Sequence, residues 1–165
     1  MRVESAGISI VAIDGACTGA DFERALEADI RVAADGATFS ADGARDLAAC
    51  AHRLTRLLGE ARAKEIVLGP RRFDAATALR LGIVTRVVPA AELAATAAAL
   101  VERLAALPPL ALPAIRDAVR AARDLTPDAA LAVEHAHFRR LIATRDHKAA
   151  VAAFFERRPA VFTGD

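Results

Sequence analysis

The side chains able to do chemistry in this chain are few and scattered. Asp21 and Glu23 stand in the first turn of a helix predicted after Gly19, where negative charge is favoured by the positive end of the macrodipole. Asp42 and Asp46 lie in the loop region that follows a short extended segment. His135 and His137 are two apart, so on a helix they point in different directions and do not make the one-face pair a metal ion needs; no metal site is expected. Cys50 and His52 would act as nucleophile and base only with a third group to orient the imidazole, and the sequence identifies none. Cys17, in a run of small residues, reads as a buried and reduced thiol.

Hydrophobic period and turn chemistry indicate the elements that must position these groups. Ile8–Ile13 is a β-branched apolar run closed by Asp14-Gly15, which predicts a buried strand inside a sheet. Phe22, Ala25 and Leu26 then fall at helical spacing over residues 21–28. Residues 30–34 and Thr38-Phe39 look extended, separated by the turn dipeptide Asp35-Gly36. From Leu47 the period changes to 3.6, with Leu54, Leu57 and Leu58 leading to Gly59, and residues 61–68 ending at Gly69-Pro70. Asp74 is a predicted cap for a short helix through Leu81, Gly82 ends it, and residues 83–88 form a last strand-like run stopped by Pro89.

The rest is helical. Leu93, Ala97, Leu100, Val101 and Leu104 share a stripe over residues 90–107, which Pro108-Pro109 breaks before another amphipathic helix to Arg123. Thr126-Pro127-Asp128, with a hydroxyl cap and Pro at the first helical position, starts a helix to about Ala143 whose stripe is Leu131, Phe138, Leu141 and Ile142. Asp146 is the predicted cap of a final helix through Arg158, after which residues 160–165 trail off. The fold class is therefore α/β, one continuous domain with an α/β core over residues 1–89 and a helical region over residues 90–165.

Composition narrows the partners. The 22 basic and 21 acidic residues nearly cancel, so no charge excess points to nucleic acid or an anionic membrane. Tyr and Trp are absent, which removes the usual base-stacking platforms. No apolar stretch is long enough for a signal h-region or a membrane span, and two cysteines are too few for a disulfide framework, so a cytoplasmic protein is expected.

Three stretches, taken in order, resemble the crotonase (enoyl-CoA hydratase/isomerase) family: IVAIDGACTGADFERALEADIRVAA over residues 10–34, LGPRRFDAATALRLGIVTRVVP over 68–89 and TRDHKAAVAAFFERRPAVFTG over 144–164. The resemblance covers nearly the whole chain beyond Ile8 and implies a partial crotonase-like ββα spiral core followed by a carboxy-terminal helical region that serves oligomerisation. It matches the carboxy-terminal two-thirds of the family, and the amino-terminal segment is expected to be missing. Ser5-Ala6-Gly7 echoes a turn of that segment, but a tripeptide of common residues carries little specificity.

By this resemblance the chain binds an acyl-CoA thioester, most simply as an enoyl-CoA hydratase acting on 2-enoyl-CoA thioesters. No cofactor is implied beyond the coenzyme A that the substrate carries. The family holds the thioester carbonyl with two backbone N–H groups, one at the start of the helix after a glycine-rich turn. The family's Gly-Gly-Gly is here Gly19-Ala20-Asp21, which makes the Ala20 N–H the oxyanion donor and Gly19 and Ala20 the substrate-binding residues. Asp21 would oppose an oxyanion unless its side chain turns away. Glu23 matches one of the two catalytic carboxylates of hydratases, a pair useful because one can act as base while the other acts as acid. The second carboxylate follows a Phe-Gly-x-Pro-Glu pattern; here FSADGARD over residues 39–46 puts Gly43 at its place, and Asp42 or Asp46 would substitute only by a shift of the loop. Arg71-Arg72, Arg157-Arg158 and Lys148 are candidates to meet the CoA phosphates, although most such clusters are solvated faces. The alternatives are a catalytically incomplete relative acting as an assembly or binding partner, and a truncated family member. A trimer-based homo-oligomer is expected, because loss of the front segment would leave the strand Ile8–Ile13 and the Ala-rich helices without cover.

Overall fold

The structure, a computed structural model, describes residues 1–43, 47–69 and 72–165. Its contacts divide the chain into one unit of Met1–Val3 with Ser9–Leu100 and another of Glu4–Ile8 with Val101–Asp165.

Two sheets carry the α/β part. Arg2–Ser5 (β1) and Ile8–Ile13 (β2) are joined by Ala6 and Gly7, both at positive φ (47° and 76°), the backbone that a two-residue hairpin turn demands. β2 lies inside the sheet as its β-branched run requires, and its parallel partner is Ile30–Ala34 (β4), in register Ile10 with Ile30 and Ile13 with Ala33. Ala16–Thr18 (β3) lies in the second sheet, beside Thr38–Ser40 (β5) in parallel and followed by Phe73–Asp74 (β6), which pairs antiparallel with β5. Arg86–Val88 (β7) closes the first sheet, whose order is β1-β2-β4-β7. Ile8, Ile10, Ala12 and Ile13 are all buried, so the strand expected to lack cover has it.

The strand expected over 83–88 is shorter than its apolar run. Gly82 takes the left-handed conformation at the end of the helix Ala75–Leu81, and the Ile83 and Val84 N–H groups then donate to the Ala78 carbonyl (2.9 and 3.3 Å), so both side chains are buried from a loop. Arg31 on β4 explains the buried polar content here. Its guanidinium donates to the Ala28 and Ile83 carbonyls, and burial pulls its pKa below the ordinary arginine value while nearby Asp29 pushes the other way.

Between β3 and β4 runs Ala20–Glu27 (α1), and Leu47–Leu58 (α2) and Glu60–Leu68 (α3) follow β5. Three rings fix the core: Phe22 of α1 meets Phe39 and Phe73 edge-on at 6.2 and 6.1 Å, and Phe39 stacks on Phe73 at 5.6 Å. Phe22 and Phe39 are wholly buried; each such side chain stabilises the fold by ~1.5–3 kcal/mol through area alone. The helix Ala75–Leu81 (α4) is capped as expected by Asp74, which accepts from the Thr77 N–H at 2.8 Å; that bond holds the carboxyl below its usual pKa.

A 3₁₀ turn at Ala90–Glu92 leads into Leu93–Ala105 (α5), and Ala111–Asp124 (α6), Pro127–Ile142 (α7) and Arg145–Phe155 (α8) complete the helices. Two capping expectations are corrected. The Thr126 hydroxyl makes no cap bond to α7, which starts on Pro127 alone, and α8 is capped by Thr144, whose hydroxyl accepts from the His147 N–H at 3.1 Å. Asp146 is thereby freed for another task. Buried at 4% exposure, it accepts from the Thr163 N–H (2.8 Å) and the Gly164 N–H (3.0 Å), while the Asp165 carbonyl accepts from the Arg145 N–H (2.8 Å). Residues 160–165 are therefore strapped to the start of α8 instead of trailing off. Asp146→Ala is expected to cost about 1–3 kcal/mol, the penalty of leaving those N–H groups unpaired. Hydrogen exchange checks it: amide protection at Thr163 and Gly164 that survives the substitution would contradict the strap.

Candidate functional site

The start of α1 is placed by sheet register. β3 runs parallel to β5 with Cys17 opposite Phe39 and Thr18 opposite Ser40, so the residues after each strand, Gly19 and the Asp42-Gly43 turn, emerge side by side. Gly19 adopts φ 56°, ψ −124°, and a Cβ built on it would stand 2.8 Å from the Gly43 carbonyl oxygen and 3.2 Å from that of Asp42. Backbone meets backbone there, and only glycine fits.

Gly19, the residue that precedes the first turn, brings no side chain to cap α1. The first N–H groups of a helix have no intrahelical acceptor, so the N–H of half-buried Ala20 stands at the positive end of α1 without one. Phe22, locked into the ring cluster, sets the rotation of the helix and sends its neighbours to opposite flanks.

The flanks differ electrostatically. Asp21 is exposed, pairs with the Arg24 guanidinium one turn on, and lies close enough to the Cys17 thiol to help raise it: burial first and the Asp21 charge second push that thiol to about 11. Glu23 is half-buried on the α2 side. Burial first and the Glu23 carboxylate second raise the Cys50 thiol, so both cysteines are held protonated and unreactive. A cleft of about 320 Å³ opens on the Asp21 flank, lined by Met1, Val11, Ile13, Cys17, Asp21 and Arg24. Another of about 350 Å³ lies over Phe73 between α3 and α4, with Arg62 and Arg80 at its sides. Ala20 and Glu23 line neither.

The structure thus brings Gly19, Ala20 and Glu23 together on one short helix, with Gly43 beside them. At Gly43, φ 73°, a Cβ would meet nothing within 4 Å among the described residues, so no described side chain fills the place matching the family's second carboxylate. The Asp42 side chain is exposed and its N–H donates to Ser40 Oγ at 2.9 Å; Asp46 and Arg71 lie outside the described residues. Cys50 is buried while His52 is exposed, so they form no nucleophilic pair. Among the described residues no three His, Cys, Asp or Glu side chains gather as metal ligands. Arg72, Lys148, Arg157 and Arg158 are exposed, and Arg158 pairs with Glu156 at 2.5 Å. Arg24 and the Asp42-Gly43 contact were the parts of this region that the residues had not suggested; the i,i+3 spacing of Asp21 and Arg24 was the available signal.

The Enoyl-CoA hydratase/isomerase family model matches residues 3–165. A Mycobacterium tuberculosis protein named "Probable enoyl-CoA hydratase" is 34% identical over 159 residues, 94% of this chain and 62% of that protein. The short-chain-enoyl-CoA hydratase of Clostridium acetobutylicum is 32% identical over 90% of this chain and 59% of its own length. Among solved structures, the enoyl-CoA hydratase subunit I of Geobacillus kaustophilus superposes with a TM-score of 0.87 at 38% identity, over 94% of this chain and 62% of that one. The chain thus spans about 62% of the length of relatives it matches. An uncapped helix start after a left-handed glycine, a glutamate on its first turn, and a match over nearly every residue agree: the chain belongs to the enoyl-CoA hydratase/isomerase (crotonase) family.

Proposed function

We propose that this chain binds the thioester of an acyl-CoA at the start of α1 and, most simply, takes part in hydration of 2-enoyl-CoA. The observation that carries the reading is the uncapped Ala20 N–H, held by a glycine that tolerates no side chain, one turn from Glu23. In hydration, water adds to C3 and a proton to C2, and negative charge passes through the thioester oxygen as an enolate. The Ala20 N–H and the helix dipole stabilise that oxygen, while Glu23 takes the proton from water or delivers one to C2. Coenzyme A arrives with the substrate, and no separate cofactor is required.

A second reading is favoured by Gly43. With no carboxylate at the place matching the family's second glutamate, one acid must serve both as base and as proton donor, or the chain is a catalytically incomplete relative that binds and assembles. Titration with a CoA thioester, followed by a hydration assay, separates the two. Binding with hydration supports the enzyme, and binding without it supports the incomplete relative. No binding sinks both.

In this reading residues 1–89 are the partial core and 90–165 the oligomerisation region, in a cytoplasmic protein; among the described residues no helix is long and apolar enough to cross a membrane. Apolar side chains on the late helices support assembly: Ile115 and Val119 on α6, Phe138 on α7, and Phe154 and Phe155 on α8 are 59–78% exposed. Surface of this kind is normally buried by association, and a trimer-based homo-oligomer is proposed. Sedimentation is expected to show a species larger than a monomer at micromolar concentration; a clean monomer would remove the proposal.

A further inference from the structure

The start of α1 carries a charge that its proposed chemistry does not want. Asp21 follows the Ala20 N–H directly, and a carboxylate so near a developing enolate oxygen repels it. Arg24 answers that charge. Its guanidinium, one turn further along the helix, pairs with Asp21 Oδ1 and so sets a positive charge directly against that carboxylate.

A structural explanation of the pair is weak. Both side chains are about two-thirds exposed, at 65% and 64%, and an exposed pair at i,i+3 adds little to stability. Docking of α1 on α2 has its own ionic contact, Glu27 Oε1 with Arg53 Nη2 at 2.8 Å, and the buried Phe22 sets the orientation of the helix. Asp21 and Arg24 also face the Cys17 side of α1, whereas Glu23 faces Cys50, so the pair leaves the glutamate alone.

We propose that Arg24 is a positioning residue for the oxyanion site: by pairing with Asp21 it holds and neutralises that carboxylate, so that a helix start bearing an acid can still receive an enolate. This rests on the reading of α1 as the thioester site. Arg24 touches no reacting atom in it and acts only through Asp21.

The test uses acetoacetyl-CoA, a 3-ketoacyl thioester whose enolate has an absorbance distinct from its keto form, titrated into the full chain and into Arg24→Gln, Asp21→Asn and the double variant. Arg24→Gln is expected to lower the enolate-to-keto ratio of bound ligand by roughly three- to tenfold, less at high ionic strength. Asp21→Asn should equal or exceed the wild type, and the double variant should behave as Asp21→Asn does. Unfolding midpoints serve as the control, since a structural role would move them and would not vanish when Asp21 is neutral. Loss of enolate on Arg24→Gln in the Asp21→Asn background as well would overturn the inference, because Arg24 would then act on the ligand directly. An enolate signal insensitive to Arg24 in every background overturns it too, while leaving the thioester site standing. Absence of bound enolate from all four proteins takes down the thioester site and this inference with it.

Discussion

Glu23→Gln is expected to lower hydration of a short 2-enoyl-CoA by about a hundredfold or more while CoA-thioester affinity stays nearly unchanged, the pattern of a lost acid–base group. The physical basis is local. Gln keeps the size and hydrogen-bonding reach of Glu on the α2 flank of α1 but exchanges no proton, and the Ala20 N–H proposed to hold the thioester is untouched. Single-turnover hydration and a binding titration, run on both proteins, give the two numbers. If Ala20 is the sole oxyanion donor, the wild-type rate itself is reduced by on the order of a hundred- to a thousandfold, so it must be read against buffer. Equal rates at the buffer level in wild type and variant would end the hydratase reading. Equal rates above buffer would move the chemistry elsewhere, with Asp42 and Asp46 the next residues to change.

Gly19→Ala should do damage of a different kind. The new Cβ meets the Gly43 carbonyl oxygen at 2.8 Å and its carbon at 3.1 Å, both backbone atoms that no rotamer change can move, and φ 56° is already costly for alanine. Strain and overpacking together cost about 2–5 kcal/mol, with the Asp42-Gly43 turn or the first turn of α1 displaced. Thermal unfolding and CoA-thioester binding should therefore fall together. Ala20→Gly is the counterpart: it keeps the N–H and adds no atom, so binding should change little. A Gly19→Ala protein with the wild-type melting temperature and affinity would show that the close approach does not shape the site.

How much of this was legible beforehand depends on the range of the interaction. Strand Ile8–Ile13, the helix after Gly19, the Asp74 cap and the Gly82 stop are local matters of period, capping and left-handed glycine, and the residues announce them. The family was legible for a related reason, since the three stretches that resemble it are themselves such local elements in a fixed order. Where prediction failed, a distant partner had intervened. Asp146 had the spacing of a cap, but Thr144 was nearer the helix start and the tail offered Asp146 two N–H groups that only folding brings close. Residues 83–88 looked like one strand because apolar burial does not specify backbone pairing, and only the β4 edge decided that Arg86–Val88 would pair while Ile83 and Val84 would pack from a loop.

The candidate site divides in the same way. Types and order along the chain determined that a glycine would precede a helix bearing Asp21, Glu23 and Arg24, because helix starts and i,i+3 neighbours are set within a few residues. Tertiary structure alone decided where each stands. The parallel pairing of β3 with β5 set Gly43 against Gly19, and the contact of Phe22 with Phe39 and Phe73 fixed the rotation that sends Asp21 to the Cys17 flank and Glu23 to the Cys50 flank. A side chain's type and spacing fix its reach and charge, but which face of a short helix meets the core is settled by packing against residues far away in sequence.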